Sequence, residues 1–217
     1  MVQANLDGRK RMTRRMTGLN QVNEDPDAIE FFRFQEYKDG SYRAIFQHEL
    51  ANEPGSVKCP YGKAGDLLWV RESCQRIKMD SGEYRIIFKT DPIIWGGKWK
   101  PSMHMPKDAS RIWLQVEEIR VERLQDISEE DAMAEGVEPL INTYSSISNY
   151  KDIKIPNYRT GFMKIWIKIN SEESWHSNPW VWVVKYKVLS TTGKPQMCYK
   201  TNEVCKYDCK GLCRESM

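Results

Sequence analysis

Two groups of residues carry types and spacings that suit chemistry. Arg9, Lys10, Arg11, Arg14 and Arg15 fall within seven consecutive positions behind Gly8, with no acid among them. Such a cluster can meet phosphates; the same run equally suits the solvated face of a helix. The second group is Cys198, Cys205, Cys209 and Cys213, spaced C-x6-C-x3-C-x3-C. Four thiolates can hold zinc tetrahedrally, and a site with four such ligands has no open position, so the metal would be structural. The usual C-x2-C knuckles are absent, which leaves free thiols, an iron–sulfur cluster or disulfides as alternatives. Cys59 and Cys74 stand alone and are expected to be reduced. His104 and His176 lie in polar segments, as loop histidines commonly do. The eight tryptophans can stack on bases or fill a small core.

The elements that must position these residues can be read from pattern. The chain has 217 residues, 40% hydrophobic and 29% charged, with a net charge of +3. That suits one domain with insertions and a globular composition. Whole-protein charge is too small to argue for nucleic acid by itself. No apolar stretch is long enough to span a bilayer, and MVQANLDGRK has no apolar signal core, so a cytoplasmic protein without membrane contact is expected.

Residues 4–15 read as a short basic helix or turn-helix. FFRFQ, SYRAIFQHEL, DLLWVRES (66–73), EYRIIFK (83–89), IWLQVEEIRVERL (112–124) and WVWVVKYKVL (180–189) read as strands. In the last, Trp180, Trp182, Val184 and Tyr186 alternate onto one face. Ser128 with Glu129, Glu130 and Asp131 makes a capping-box pattern for a helix that Gly136 stops. Residues 161–170 favour helix, while 91–110 and 138–160 read as irregular. The expected fold class is α+β, mainly β: a small β-barrel with short helices over residues 1–190, then a Cys-rich tail over 191–217.

Three separated motifs carry a resemblance to a family. Gly8-Arg9-Lys10-Arg11-Met12-Thr13-Arg14-Arg15 is similar to the G-x-K-x-x-E-x-R pattern of ASCH domains, with Thr13 where that pattern has Glu. GKAGDLLWVRE (62–72) is similar to the family's K-x-G-D segment, and RVERLQDISEEDAMAEGV (120–137) to its strand and acidic helix. WVWVVKYKVL is similar to the closing strand. The resemblance implies a PUA-like barrel over about half the chain, with insertions near 74–108 and 138–160. WKPSMHMPKDASRI resembles a prophage-type branch labelled morphogenetic.

Within that superfamily, the chain is similar to a bacterial branch that removes the acetyl group of acetylcytidine. This likeness implies catalytic roles for Lys10, Thr13 and Glu135, with Glu129, Glu130 or Asp131 as substitutes for Glu135 if the alignment slips. Thr13 would be the nucleophile. Lys10, three positions away on one helical face and crowded by arginines, would be a base with a disfavoured ammonium. Glu135 would protonate the leaving amine. Gly8 amides or Arg15 would stabilise the oxyanion, and Gly8, Arg9, Arg14 and Arg15 would bind ligand or nucleic acid. Catalysis would need no cofactor. The expected activity is an amidohydrolase acting on an acylated nucleoside or base. The alternatives are a non-catalytic module that binds RNA or a modified nucleoside in a phage or prophage, and an adaptor with a protein partner.

Overall fold

The computed structural model describes residues 2–50, 55–91, 98–145 and 152–195. The chain runs α1 (Val2–Leu6), β1 (Met12–Arg15), β2 (Ile29–Glu36), β3 (Tyr42–His48), β4 (Gly55–Lys58), β5 (Leu67–Trp69), β6 (Cys74–Lys78), β7 (Tyr84–Phe88), β8 (Trp113–Arg123), α2 (Glu129–Ala134), β9 (Leu140–Ser145), β10 (Asp152–Asn157), α3 (Tyr158–Asn170), α4 (Glu172–His176) and β11 (Trp180–Ser190). It is mainly β, with few helices and a main sheet that curls as half a barrel.

The main sheet has the order β1-β11-β8-β5 and is antiparallel throughout. Residues 67–69 and 180–190 therefore share one sheet through β8, as a barrel requires. A second sheet, β2-β3-β4, packs on its inner face. The alternation expected in β11 is present and explains the two cores. Trp182, Val184 and Tyr186 join Leu114, Val116 and Phe46 in the core between the sheets. Val181 and Val183 point the other way, onto Leu124, Phe162 and Trp166 below α2 and α3. Both faces of β11 are thus buried, so four consecutive residues, 181–184, are inaccessible. Trp113, Trp166 and Trp182 serve as core, not as exposed stacking platforms.

Two expectations need correction. Residues 4–15 do not continue as a helix: α1 ends at Leu6, Gly8 turns with φ +70°, and Met12–Arg15 is strand β1. The reason is tertiary. β11 has an open side, and the β-branched Thr13 and the alternation of Met12 and Arg14 against Thr13 and Arg15 suit pairing there. Residues 138–160 are not irregular throughout, because β9 and β10 pair as an antiparallel hairpin. The insertion near 74–108 holds a second hairpin, β6–β7, followed by two short 3₁₀ turns. The Cys-rich tail with its zinc expectation (Cys198, Cys205, Cys209 and Cys213) lies outside the described residues, as does Trp95. Among the described residues no His, Cys, Asp and Glu group can hold a metal, and no helix is long and apolar enough to cross a membrane.

Candidate functional site: a buried ion-pair cluster beside a pocket

The cluster is built where the C-terminal end of α2 meets the start of β1. Ser128 caps α2, its hydroxyl accepting from the Asp131 amide at 3.1 Å. Glu135 closes the helix, and Gly136 follows with φ +74°. A Cβ on Gly136 would lie 2.8 Å from the Lys10 Cβ and 3.0 Å from the Ala4 Cβ. Glycine therefore meets two needs here: the left-handed conformation after a helix end, and close passage of the chain over Lys10. Arg11 N–H donates to the Ala134 carbonyl at 2.8 Å and fixes the two segments together.

Lys10 and Glu135, 3% and 2% exposed, meet in this corner. The Lys10 ammonium donates to Glu135 Oε2 at 2.6 Å, to the Glu135 carbonyl at 2.9 Å and to the Met12 carbonyl at 2.7 Å. All three of its protons are thereby engaged. Burial lowers the Lys10 pKa, and the Glu135 carboxylate opposes that shift in part. The other carboxylate oxygen, Glu135 Oε1, is buried and accepts no hydrogen bond. Arg14 Nη1 stands 3.6 Å from it, in ion-pair range.

Thr13 is placed differently from what its spacing implied. Lys10 lies before β1, outside any helix, so the three-residue spacing does not put it on one face with Thr13. Lys10 turns to Glu135, and the buried Thr13 hydroxyl has no hydrogen-bond partner. The expected Lys10–Thr13 hydrogen bond is absent, because no helix spans the two residues: Lys10 precedes β1 and Thr13 lies within it. Thr13 lies opposite Val184, and Arg15 opposite Trp182, so both face the inter-sheet core side of the sheet. Arg15 is near enough there to oppose the upward pKa shifts of Tyr61 and Tyr186, shifts that burial produces.

Arg14 departs furthest from a phosphate-binding role. It is 1% exposed. Its guanidinium grips Glu122 through Nε at 3.1 Å and through a short Nη2 contact, and it donates to Asp131 at 2.7 Å. Arg120 donates to the same Asp131 oxygen at 2.9 Å. Burial pushes the Asp131 pKa up, but the bonds and charges of the two arginines together hold it below the usual value. Arg9 is exposed and pairs with Asp7 and Glu138. Gly8 is an exposed turn. Glu129, a substitute considered for Glu135, instead accepts the Tyr158 amide at 2.7 Å and starts α3.

β1 is the edge of its sheet. Tyr186 N–H donates to the Arg11 carbonyl at 2.9 Å, so by antiparallel alternation the carbonyls of Met12 and Arg14 point outward. Each is taken by a cation: Met12 by Lys10, Arg14 by Arg15 Nη1 at 2.8 Å. Along this edge lies a cavity of about 390 Å³, walled by Arg14, Arg15, Thr17 and Glu135 on one side and by Phe162, Ile165 and Trp166 of α3 on the other. Lys10 and Thr13 do not line it. Lys10, Arg14 and Glu135 are thus brought together, Arg15 joins them at the cavity, and Thr13 stands apart. Phe162 and Trp166 lie at the helical spacing that marked α3, but nothing in the sequence marked them as a pocket wall. Cys59 and Cys74 are free and buried, and burial lifts the Cys59 thiol to about 11. No protein-family model, characterised protein or solved structure among those compared matches the chain.

Proposed function

We propose that the cavity between β1 and α3 binds a modified nucleoside or base, in the manner of a PUA-like ASCH pocket. One observation carries this reading. Glu135 lines a cavity large enough for a planar ring, and its buried carboxylate oxygen Oε1 accepts no hydrogen bond. A buried acceptor without a donor is costly, and an N–H group of a ligand would satisfy it. Lys10 holds the other carboxylate oxygen, so the acceptor is fixed in direction. Phe162, Ile165 and Trp166 give the cavity an apolar wall, and Arg15 adds a donor at the rim. A base with an exocyclic amine or amide N–H suits this set.

Hydrolysis of an acylated exocyclic amine is the second reading, favoured by the buried, unpartnered Thr13 hydroxyl. It requires Lys10 to give up one of its three acceptors and reach Thr13 as a neutral amine. Binding without turnover needs no such rearrangement and is the preferred account. The test is a titration with cytidine, acetylcytidine and other acylated nucleosides followed by calorimetry, with products read by mass. Saturable binding with unchanged nucleosides supports the module. Release of acetate supports the amidohydrolase. Absence of binding across the panel removes both.

A further inference from the structure

The charge of the chain is unevenly placed. Residues 74–111 hold eight Lys and Arg against four Asp and Glu, a net +4, while the whole chain carries +3. The remainder therefore sums to −1. The main sheet's arginines are spent on acids, as the buried Arg14 and the partly exposed Arg120 are on Glu122 and Asp131. Among the described residues of 74–111 only Arg111 is so neutralised, by Glu72 at 2.8 Å and Asp91 at 2.7 Å. Its other cations form no ion pair among the described residues, and all of them are exposed.

The β6–β7 hairpin gathers these charges beside a groove. Its register sets Cys74, Arg76 and Lys78 opposite Phe88, Ile86 and Tyr84, so these six share a face. A cavity of about 270 Å³ opens on that face, with Cys74, Ile86 and Ala109 as apolar floor and Arg76, Lys100 and His104 around it. Arg76 stacks on the Tyr84 ring at 4.2 Å, and Tyr84 is 58% exposed. The groove is braced from within and at its flank: Lys100 and Cys74 exchange backbone hydrogen bonds of 3.0 and 3.2 Å, and Arg111, just before β8, pairs with Asp91 of the insertion as well as with Glu72.

We infer that this insertion is a phosphodiester-binding arm, and that the groove bordered by Arg76, Tyr84 and Lys100 takes the backbone of a single-stranded nucleic acid. Unpaired surface cations around an apolar groove with an aromatic ring are the combination that tracks a single strand, with charge on phosphate and ring on base. An acidic peptide would use the charges but leave the Tyr84 ring and apolar floor without a matching group. The inference rests on the nucleoside reading only for the base held in the barrel; the arm would make the natural ligand a polymer and not a free nucleoside.

The test is fluorescence anisotropy with labelled single-stranded RNA and DNA oligonucleotides over a salt series, using the full chain. Wild type should bind, with affinity falling as salt rises. Arg76→Ala/Lys100→Ala should lower affinity roughly tenfold and reduce the slope of log K against log salt by about 1.4, two contacts at about 0.7 each for a single strand. Arg76→Glu/Lys100→Glu should lose binding. Both variants should keep the wild-type melting temperature and nucleoside titration, since these side chains are exposed and remote from Glu135. Glu135→Gln should keep the salt slope, so failure of the pocket and failure of the arm read out separately. No oligonucleotide binding by wild type, an unchanged slope in the double variant, or equal competition by polyglutamate at matched charge would each overturn the inference.

Discussion

The Lys10 ammonium and the Glu135 carboxylate, 125 positions apart in sequence, lie 2.6 Å apart in a corner closed to solvent. Breaking one half of such a pair strands the other charge. Lys10→Met should therefore cost about 3–5 kcal/mol in urea unfolding. Adding Glu135→Leu should restore much of that loss, because two apolar groups leave no charge unpaired. Equal or greater destabilisation in the double variant would mean that the pair is not the unit of stability here.

Glu135→Gln tests the unpartnered acceptor Oε1. The amide carbonyl would keep Lys10, which turns the NH2 group toward the ligand. A donor would then meet a donor, at a cost of about 1–3 kcal/mol. Nucleoside affinity measured by calorimetry should fall roughly 5- to 150-fold while the fold survives. Unaltered affinity would move the binding site elsewhere.

Gly136→Ala probes the corner through the backbone. The left-handed conformation alone costs a non-glycine residue about 1–2 kcal/mol, and the added Cβ would press on Lys10 and Ala4. Chemical denaturation should show a loss at least this large, and nucleoside binding should weaken with it as Glu135 shifts. A neutral outcome would place the chain further from Lys10 than described.

The acid limb of stability depends on Asp131. Its carboxyl titrates below its ordinary value in the folded state, so the unfolded chain takes up its proton first as pH falls. The stabilisation is present above the unfolded pKa, near 3.8, and is lost as pH falls through the lower folded value. Asp131→Asn should be less stable at neutral pH and show a flatter decline below about pH 4. Parallel acid profiles for the two proteins would count against the Arg14 and Arg120 pairing.

Legibility of the fold followed the range of the interactions. β8, β11 and α3 carry their own periodicity, and Ser128 and Gly136 mark the ends of α2 within a few residues. These were readable without tertiary knowledge. Residues 8–15 were not, because whether Met12–Arg15 extends depends on β11, more than 160 positions later. The fate of Arg14 was hidden for the same reason: its acids lie 108 and 117 positions away. A run of cations looks like one surface in sequence, yet Lys10 and Arg14 are buried while Arg9 and Arg11 are exposed. Lys10 and Glu135 meet as an ion pair, a contact their separation in sequence did not reveal, and Thr13 does not join them because β1 turns it to the other side of the sheet.

The two capped carbonyls on β1 also bear on how copies of this chain behave toward one another. An uncovered strand margin is a template on which a second chain can add by main-chain pairing, the first step of sheet-to-sheet aggregation. Here Lys10 and Arg15 occupy the acceptors of Met12 and Arg14, and α3 roofs the same margin. The lysine that orients Glu135 thus also occupies an acceptor that an incoming strand would need. A chain deprived of it would bare the Met12 carbonyl to a neighbour along with losing the fixed carboxylate.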